Sequence, residues 1–251
     1  GLVAPEQGAA AGFLTTPTPG TSNVIAGPII ESVTQDPPQP TATQDLLIEA
    51  SVAANAGIGI SHVDLHYRVG FGAEGVVDMF DDGTNGDTTS SDGIYTGTIS
   101  SGLYAAGDMV RWYVTAEDTG GTVSRAPTFI DQSGGNQSAE YFGTVVAESI
   151  ATALPTFQWF TQDESASHNR TGTRASVFYN GRFYDNIFVR QRGGFTNQSL
   201  SQKFDFNKGE KLYISEELGS VGEINLNGNG ADGSFLRQPM GFGAYAEAGN
   251  A

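Results

Sequence analysis

The 251-residue sequence contains no cysteine, and only 12 of its residues are lysine or arginine, against 28 acidic residues. The absence of thiols excludes disulfides, thiolate metal sites and a cysteine nucleophile. No stretch approaches the roughly 18 consecutive apolar residues that a membrane-spanning helix requires. The formal net charge of −16 opposes binding to DNA or RNA, since polyphosphates attract basic surfaces. We therefore expect no nucleic-acid partner and no membrane span in this segment.

Glycine is abundant, with 34 residues, whereas apolar residues make up only 38% of the sequence. This composition favours short strands joined by tight turns over long helices. Apolar and polar residues alternate cleanly over residues 61–69 and again over 110–116, which is typical of half-buried antiparallel strands. With the other strand-like runs we expect roughly eight strands in about 120 residues, the pattern of an immunoglobulin-like β-sandwich. We assign this sandwich to residues 28–147.

The first 27 residues contain a cluster of proline, glycine and threonine, which predicts the tail of a preceding domain and a linker. They also lack the charged stretch that opens a secretory signal. We therefore expect the sequence to be a piece of a longer protein, whose targeting signal lies elsewhere. A further boundary is expected between residues 145 and 155, so that a second domain would occupy residues 155–251.

A hairpin is predicted in the second domain, where Asn180-Gly181 separates two strand-like runs. Asn-Gly is a strong signal for a two-residue type I′ turn, which would pair Tyr179 with Arg182. Alternation along the second strand then defines two faces. One face would carry Phe183, Ile187 and Val189, and the other Tyr184, Phe188, Arg190 and Arg192.

Cations are concentrated in the second domain. Residues 1–149 hold three basic and 18 acidic residues, whereas residues 150–251 hold nine basic and ten acidic ones. Arg190, Arg192 and Lys203, the last in the strand-like run QKFDFN, would form one positive ridge if their strands are neighbours. Arginine supplies a rigid fork that suits phosphate, so the ridge predicts a phosphate-binding surface. Alternatively, these residues form a solvated polar face of the sheet and bind no ligand.

The segment DDGTNGDTTSSD, residues 81–92, resembles part of a calcium-binding loop in its spacing. Oxygen-bearing side chains fall at the first, fifth, seventh and twelfth positions, although Gly83 stands where a third-position ligand is usual. Hydrated Asp-Gly turns explain the same sequence, so both interpretations stay open. The predicted calcium ligands are Asp81, Asn85, Asp87 and Asp92.

Two other motifs favour a structural interpretation, a glycine-rich hairpin loop at residues 70–75 and a solvated strand face at His62 and His66. Residues 70–75 fit the G-x-G-x-x-G pattern, but no helix can follow them to receive a dinucleotide. His62 and His66 are four residues apart, which on a strand corresponds to about 13 Å, too far for one zinc ion.

The runs RTGTRASVFYNGRFYDNIFVRQRGG, QKFDFN and EINLN, with the later ADGSFLRQPM and AYAEAG, resemble the opening part of the CotH family of atypical secreted kinases. The resemblance extends from Phe157 to Gly249. PTPGTSN, in the first segment, resembles the end of a lamin-tail-like module. The acidic DDG…GD…DGIYTG pattern resembles hairpins of immunoglobulin-like modules that accompany such kinases.

The resemblance implies that residues 155–251 form a kinase-like N-lobe, a twisted antiparallel sheet plus a C-terminal helix that begins near Asp232 or Ser234. The overall fold class would then be mainly β, with an α+β second part. Arg190 and Arg192 match the family's R-x-R-G strand, and Lys203 matches the lysine of its K-x-F strand. These residues would contact the phosphates of ATP, bound with magnesium in the full-length parent protein. Gly194-Phe195-Thr196 departs from the family pattern, which leaves the local loop contacts open.

The implied function is transfer of the ATP γ-phosphoryl group to serine or threonine of an extracellular protein, by an exported bacterial surface protein. In this family the metal-holding carboxylates come from a C-terminal lobe, which would begin after Ala251. We therefore expect no catalytic residue in this segment and no kinase activity from it alone. The alternative is a non-catalytic extracellular adhesion or matrix protein with a kinase-like scaffold.

Overall fold

A computed structural model describes residues 27–55, 57–129, 138–150, 152, 155–192, 201–228 and 240. Within these residues the chain is mainly β, as predicted, and its sheets are antiparallel. Helix is limited there to the 3₁₀ turn at Ser101–Leu103, the single-turn helix α1 at Glu164–Ser167 and the isolated helical position Met240. Across the described ranges, no helix is long and apolar enough to cross a membrane.

The first eight strands form two antiparallel sheets that share one core. A three-stranded sheet has the order β1-β2-β5, and a five-stranded sheet has the order β4-β3-β6-β7, with β8 paired to the other half of β6. The strands are β1 Ile29–Asp36, β2 Leu46–Ala53, β3 Ile60–Val69, β4 Gly75–Met79, β5 Ile94–Ile99, β6 Met109–Asp118, β7 Val123–Ala126 and β8 Phe142–Val145.

The apolar positions predicted from the alternation in β3 and β6 form the core of this sandwich. Val63 and Leu65 of β3 are buried, as are Val110, Trp112 and Val114 of β6. They pack with buried residues from the facing sheet in one cluster. Period-2 burial of this kind is what two half-buried sheets require.

The second unit is built around a five-stranded antiparallel sheet with the order β15-β12-β11-β10-β9, beside a separate two-stranded sheet of β13 and β14. A second apolar cluster, centred on Ile187, Val189 and Phe204, lies on one face of the larger sheet. The strands are β9 Phe157–Thr161, β10 Thr173–Tyr179, β11 Arg182–Gln191, β12 Gln202–Asp205, β13 Leu212–Ser215, β14 Gly219–Val221 and β15 Glu223–Leu226.

The hairpin prediction is confirmed. Asn180 and Gly181 both have positive φ, of 50° and 72°, as the two central positions of a type I′ turn require. Tyr179 pairs with Arg182 in the register.

The predicted division of β11 into two faces holds from Ile187 onward but is wrong for Phe183 and Tyr184, which precede a bulge. Val177 pairs with Tyr184 but Ala175 pairs with Ile187, so β11 contains one extra residue, a β-bulge. Asn186 has a φ of 53° at this point. The bulge reverses the alternation, so Tyr184 joins Ile187 in the core while Phe183 faces away from it.

Several predictions lie outside the described residues. They include the tail and linker before Gly27, the loop at 194–196 and the helix from Asp232, except for Met240, which is helical and exposed.

Candidate functional site

Arg190, Arg192 and Lys203, called here the cationic patch, lie on one face of the second sheet. Arg190 of β11 stands directly opposite Lys203 of β12 in the register, and Arg192 lies two residues beyond Arg190. Side chains at directly opposed positions have Cβ atoms about 4.5–5.5 Å apart. The structure therefore brings the three predicted phosphate ligands to the same part of one sheet face, opposite the face that carries Val189 and Phe204.

Carboxylates already contact the lysine of the cationic patch. The Lys203 ammonium nitrogen lies 2.8 Å from Glu223 and 3.0 Å from Asp205. Hydrogen bonds to Glu223 and Asp205 raise the pKa of Lys203, and the same lysine lowers the pKa of Glu223. Arg192 donates a hydrogen bond of 2.9 Å to the Asn227 Oδ1. The patch is thus a mixed-charge surface in which Lys203 is already ion-paired.

The other two arginines of this hairpin, Arg174 and Arg182, have different surroundings. Arg182 lies beside the turn, and its guanidinium stacks 4.5 Å from the centre of the Tyr213 ring. Arg174 donates to the backbone oxygen of Asn186 and lines a polar cavity of about 440 Å³ together with Arg68 and Arg111. Two of the four arginines therefore lie outside the cationic patch.

The acidic loop brings together three of its four predicted ligands. Carboxylate oxygens of Asp81, Asp87 and Asp92 lie within 4.8 Å of one another. The loop is folded by its own hydrogen bonds, since Asp81 accepts from the amides of Asp92 and Gly93. The three carboxylates converge because these bonds close the loop at both ends.

Asp87 is the buried member of this loop. It accepts hydrogen bonds from the amides of Gly83, at 2.6 Å, and Thr89, at 3.1 Å. These amide donors lower the pKa of Asp87 and keep it ionised. Asn85, the fourth predicted ligand, has a φ of 54° and donates its side-chain amide to Thr84.

Asp185, which the sequence analysis did not single out, joins the two units through polar contacts. Its Oδ2 accepts hydrogen bonds from the backbone amides of Glu140 and Tyr141, at 3.1 and 2.9 Å. Its Oδ1 accepts a 2.6 Å hydrogen bond from the Ser176 hydroxyl and faces Arg111 at 3.5 Å. The bulge in β11 aims this carboxylate at the sandwich. In the sequence, the only indication of this role is the polar pair Asp185-Asn186 within the otherwise apolar run of residues 183–189.

A scan against protein-family models finds no match to the chain, and no curated protein matches it significantly. Among solved structures, the chain is similar to an uncharacterized protein from Listeria monocytogenes EGD-e, solved with glucose, magnesium and calcium. The identity is 13% and the TM-score 0.30, and the match covers 73% of this chain. This chain spans only 14% of the length of the Listeria protein.

Proposed function

We propose that residues 155–251 are the N-terminal lobe of a CotH-like protein kinase and that the cationic patch binds ATP phosphates. In the parent protein the bound nucleotide, with magnesium, would supply the phosphoryl group for serine or threonine of an extracellular protein. The observation that carries the proposal is the register pairing of Arg190 with Lys203. Two cations on neighbouring strands, with Arg192 beyond them, can contact several oxygens of one polyphosphate.

The ion pairs of Lys203 are compatible with this role. Glu223 and Asp205 hold the ammonium group above the sheet and keep it protonated. Phosphoryl-transfer enzymes commonly orient a phosphate-binding lysine with a carboxylate, and they stabilise charge rather than form covalent bonds to the phosphate.

The same contacts support a second candidate function, a non-catalytic scaffold in an adhesion or matrix protein. With two carboxylates within 3.0 Å of its nitrogen, Lys203 already has the partners of a structural ion pair. In that case the patch would stabilise β12 against β15 and bind no nucleotide.

ATP binding by the 251-residue protein distinguishes the two functions. We expect a fluorescent ATP analogue with magnesium to bind, and Lys203→Ala to weaken this binding by about tenfold or more, since hydrogen bonds to charged groups contribute about 1.5–3 kcal/mol. Lys211→Ala serves as the control, because Lys211 is exposed and lies outside the patch. Absence of ATP binding, with a lower melting temperature for Lys203→Ala, would favour the scaffold.

We propose two further features of the parent protein. The sandwich of residues 28–147 would be an immunoglobulin-like module beside the kinase lobe, after a lamin-tail-like segment in residues 1–27. Such a protein would be exported to the cell surface or the medium.

We also propose that the acidic loop binds calcium. The convergence of Asp81, Asp87 and Asp92 concentrates negative charge that a hard cation would offset. Each carboxylate oxygen that accepts one amide hydrogen retains a lone pair for a metal. The expected ligands remain these three residues and Asn85.

A further inference from the structure

A cavity of about 720 Å³ lies between the sandwich and the second sheet. Its sandwich wall includes Pro127 and Phe142, and its opposite wall includes Phe178 and Phe183 of the β10–β11 hairpin. Small-molecule sites typically have volumes of about 300–1,000 Å³, apolar walls and a position between domains. The size, lining and location of this interface cavity match that description.

The loop after β12 contributes three polar side chains to the lining of the interface cavity. They are Asn207, Lys208 and Glu210. Among the described residues, the Glu210 carboxylate makes no hydrogen bond or ion pair. Asn207 is buried and donates to the backbone oxygen of Asp185, but its Oδ1 accepts no hydrogen bond within the described part of the chain.

We propose that the interface cavity binds a small organic cation that carries an ammonium group on an aromatic or branched aliphatic body. The ammonium group would contact Glu210, and the apolar body would pack against Phe142 and Phe183. This proposal is independent of ATP binding, since the cationic patch does not line the cavity.

The charge preference follows from the surroundings of Glu210. Burial raises the pKa of Glu210 to about 7, and the negative charge of Asp185 contributes, even though more than a third of the residue surface stays exposed. A ligand cation would offset both effects. Aromatic rings on the cavity walls also attract a desolvated cation through their faces.

Three protein cations lie near the loop that carries Glu210, but none pairs with it. Lys208 lines the interface cavity, and Lys211 and Arg182 line a neighbouring surface hollow. None of their nitrogens lies within 4.0 Å of the Glu210 carboxylate, and Arg182 stacks on Tyr213. The carboxylate is therefore available to a ligand.

The test uses 2-phenylethylammonium chloride and 2-phenylethanol as probes, titrated calorimetrically into the 251-residue protein. They share an apolar body and differ in the cationic group. We expect the amine to bind about tenfold more tightly than the alcohol, and Glu210→Gln to reduce amine affinity to the level of the alcohol. The control Glu217→Gln, an exposed glutamate outside the cavity, should leave both affinities unchanged.

A second measurement needs no variant. With a carboxyl pKa of about 7, amine affinity should rise about tenfold between about pH 6 and about pH 8, since the ionised fraction of Glu210 rises by that factor. Alcohol affinity should change little over this range. Equal affinities for amine and alcohol, an undiminished amine affinity in Glu210→Gln, or no binding of the amine would each overturn the proposal.

Discussion

The Asp185 carboxylate of the second sheet lies 3.5 Å from the Arg111 guanidinium of the sandwich, and both side chains are almost completely buried. Arg111 is held between two aromatic rings, with the centres of Phe71 and Tyr141 at 4.4 and 4.5 Å. Asp185 also accepts hydrogen bonds from Ser176 and from two backbone amides of the sandwich. This ion pair therefore fixes the two units against each other.

Removal of the Asp185 carboxylate should destabilise this interface. We expect Asp185→Ala to lower the free energy of unfolding by about 3–5 kcal/mol, because it leaves the Arg111 charge buried without its partner. The loss should be smaller in Asp185→Asn, which can still accept hydrogen bonds. Urea unfolding followed by tryptophan fluorescence measures the change, since Trp112 lies in the sandwich and Trp159 in the second unit.

The control for this experiment is Glu217→Ala, an exposed position where changes stay within about 0.5 kcal/mol. If Asp185→Ala were as mild as the control, the ion pair would not hold the units together.

A glycine on the sandwich allows the second sheet to approach closely. A Cβ at Gly143 of β8 would overlap the ring of Phe183. We expect Gly143→Ala to cost about 1–3 kcal/mol through overpacking. The penalty should shrink in a Phe183→Leu background, where the smaller side chain can move away, and a double-mutant cycle of unfolding free energies measures that difference.

Gly222→Ala provides the matched control, since a Cβ there meets no atom within 4 Å. An equal cost for Gly143→Ala with and without Phe183 would show that the ring is not the obstacle.

Glu210 should make stability depend on pH. Its pKa is raised from 4.5 to about 7 in the folded protein, so between these values the folded state binds more protons than the unfolded state. The contribution of this group to stability therefore falls as the pH rises from about 4.5 to about 7, and stays constant above that range. As the pH rises through this window, the unfolding free energy of Glu210→Gln should therefore increase relative to that of wild type.

Glu217→Gln, at an exposed position, is the matched control for this comparison. Parallel profiles for wild type and Glu210→Gln would mean that the carboxyl titrates in its ordinary range.

Calcium should stabilise the sandwich through the acidic loop. At a concentration about 100 times its dissociation constant, a bound ion adds about 2.7 kcal/mol to the unfolding free energy. We expect calcium to raise the melting temperature of wild type but not of Asp87→Asn, while Asp78→Asn, an exposed carboxylate of β4, should behave like wild type. An unchanged wild-type melting temperature would refute the calcium site.

The sequence alone predicted local structure well where short-range rules decide it. The Asn180-Gly181 turn and its register follow from a requirement for positive φ, which these two residues meet. The buried alternation of β3 and β6 follows from the period of the strand. The same patterns placed Arg190 and Lys203 on compatible faces of neighbouring strands.

The contacts between the two units could not be predicted from local sequence patterns. The bulge at Asn186 depends on one extra residue relative to β10, which no local propensity specifies, and it turns Asp185 from the hairpin towards Arg111. The raised pKa of Glu210 likewise arises from burial and from the negative charge of Asp185. These two residues are 25 positions apart in the sequence. The turn at Asn180-Gly181, the alternation of β3 and β6 and the distribution of charge follow from the sequence alone, because they depend on neighbouring residues. The interface and its cavity depend on distant residues that only folding brings together.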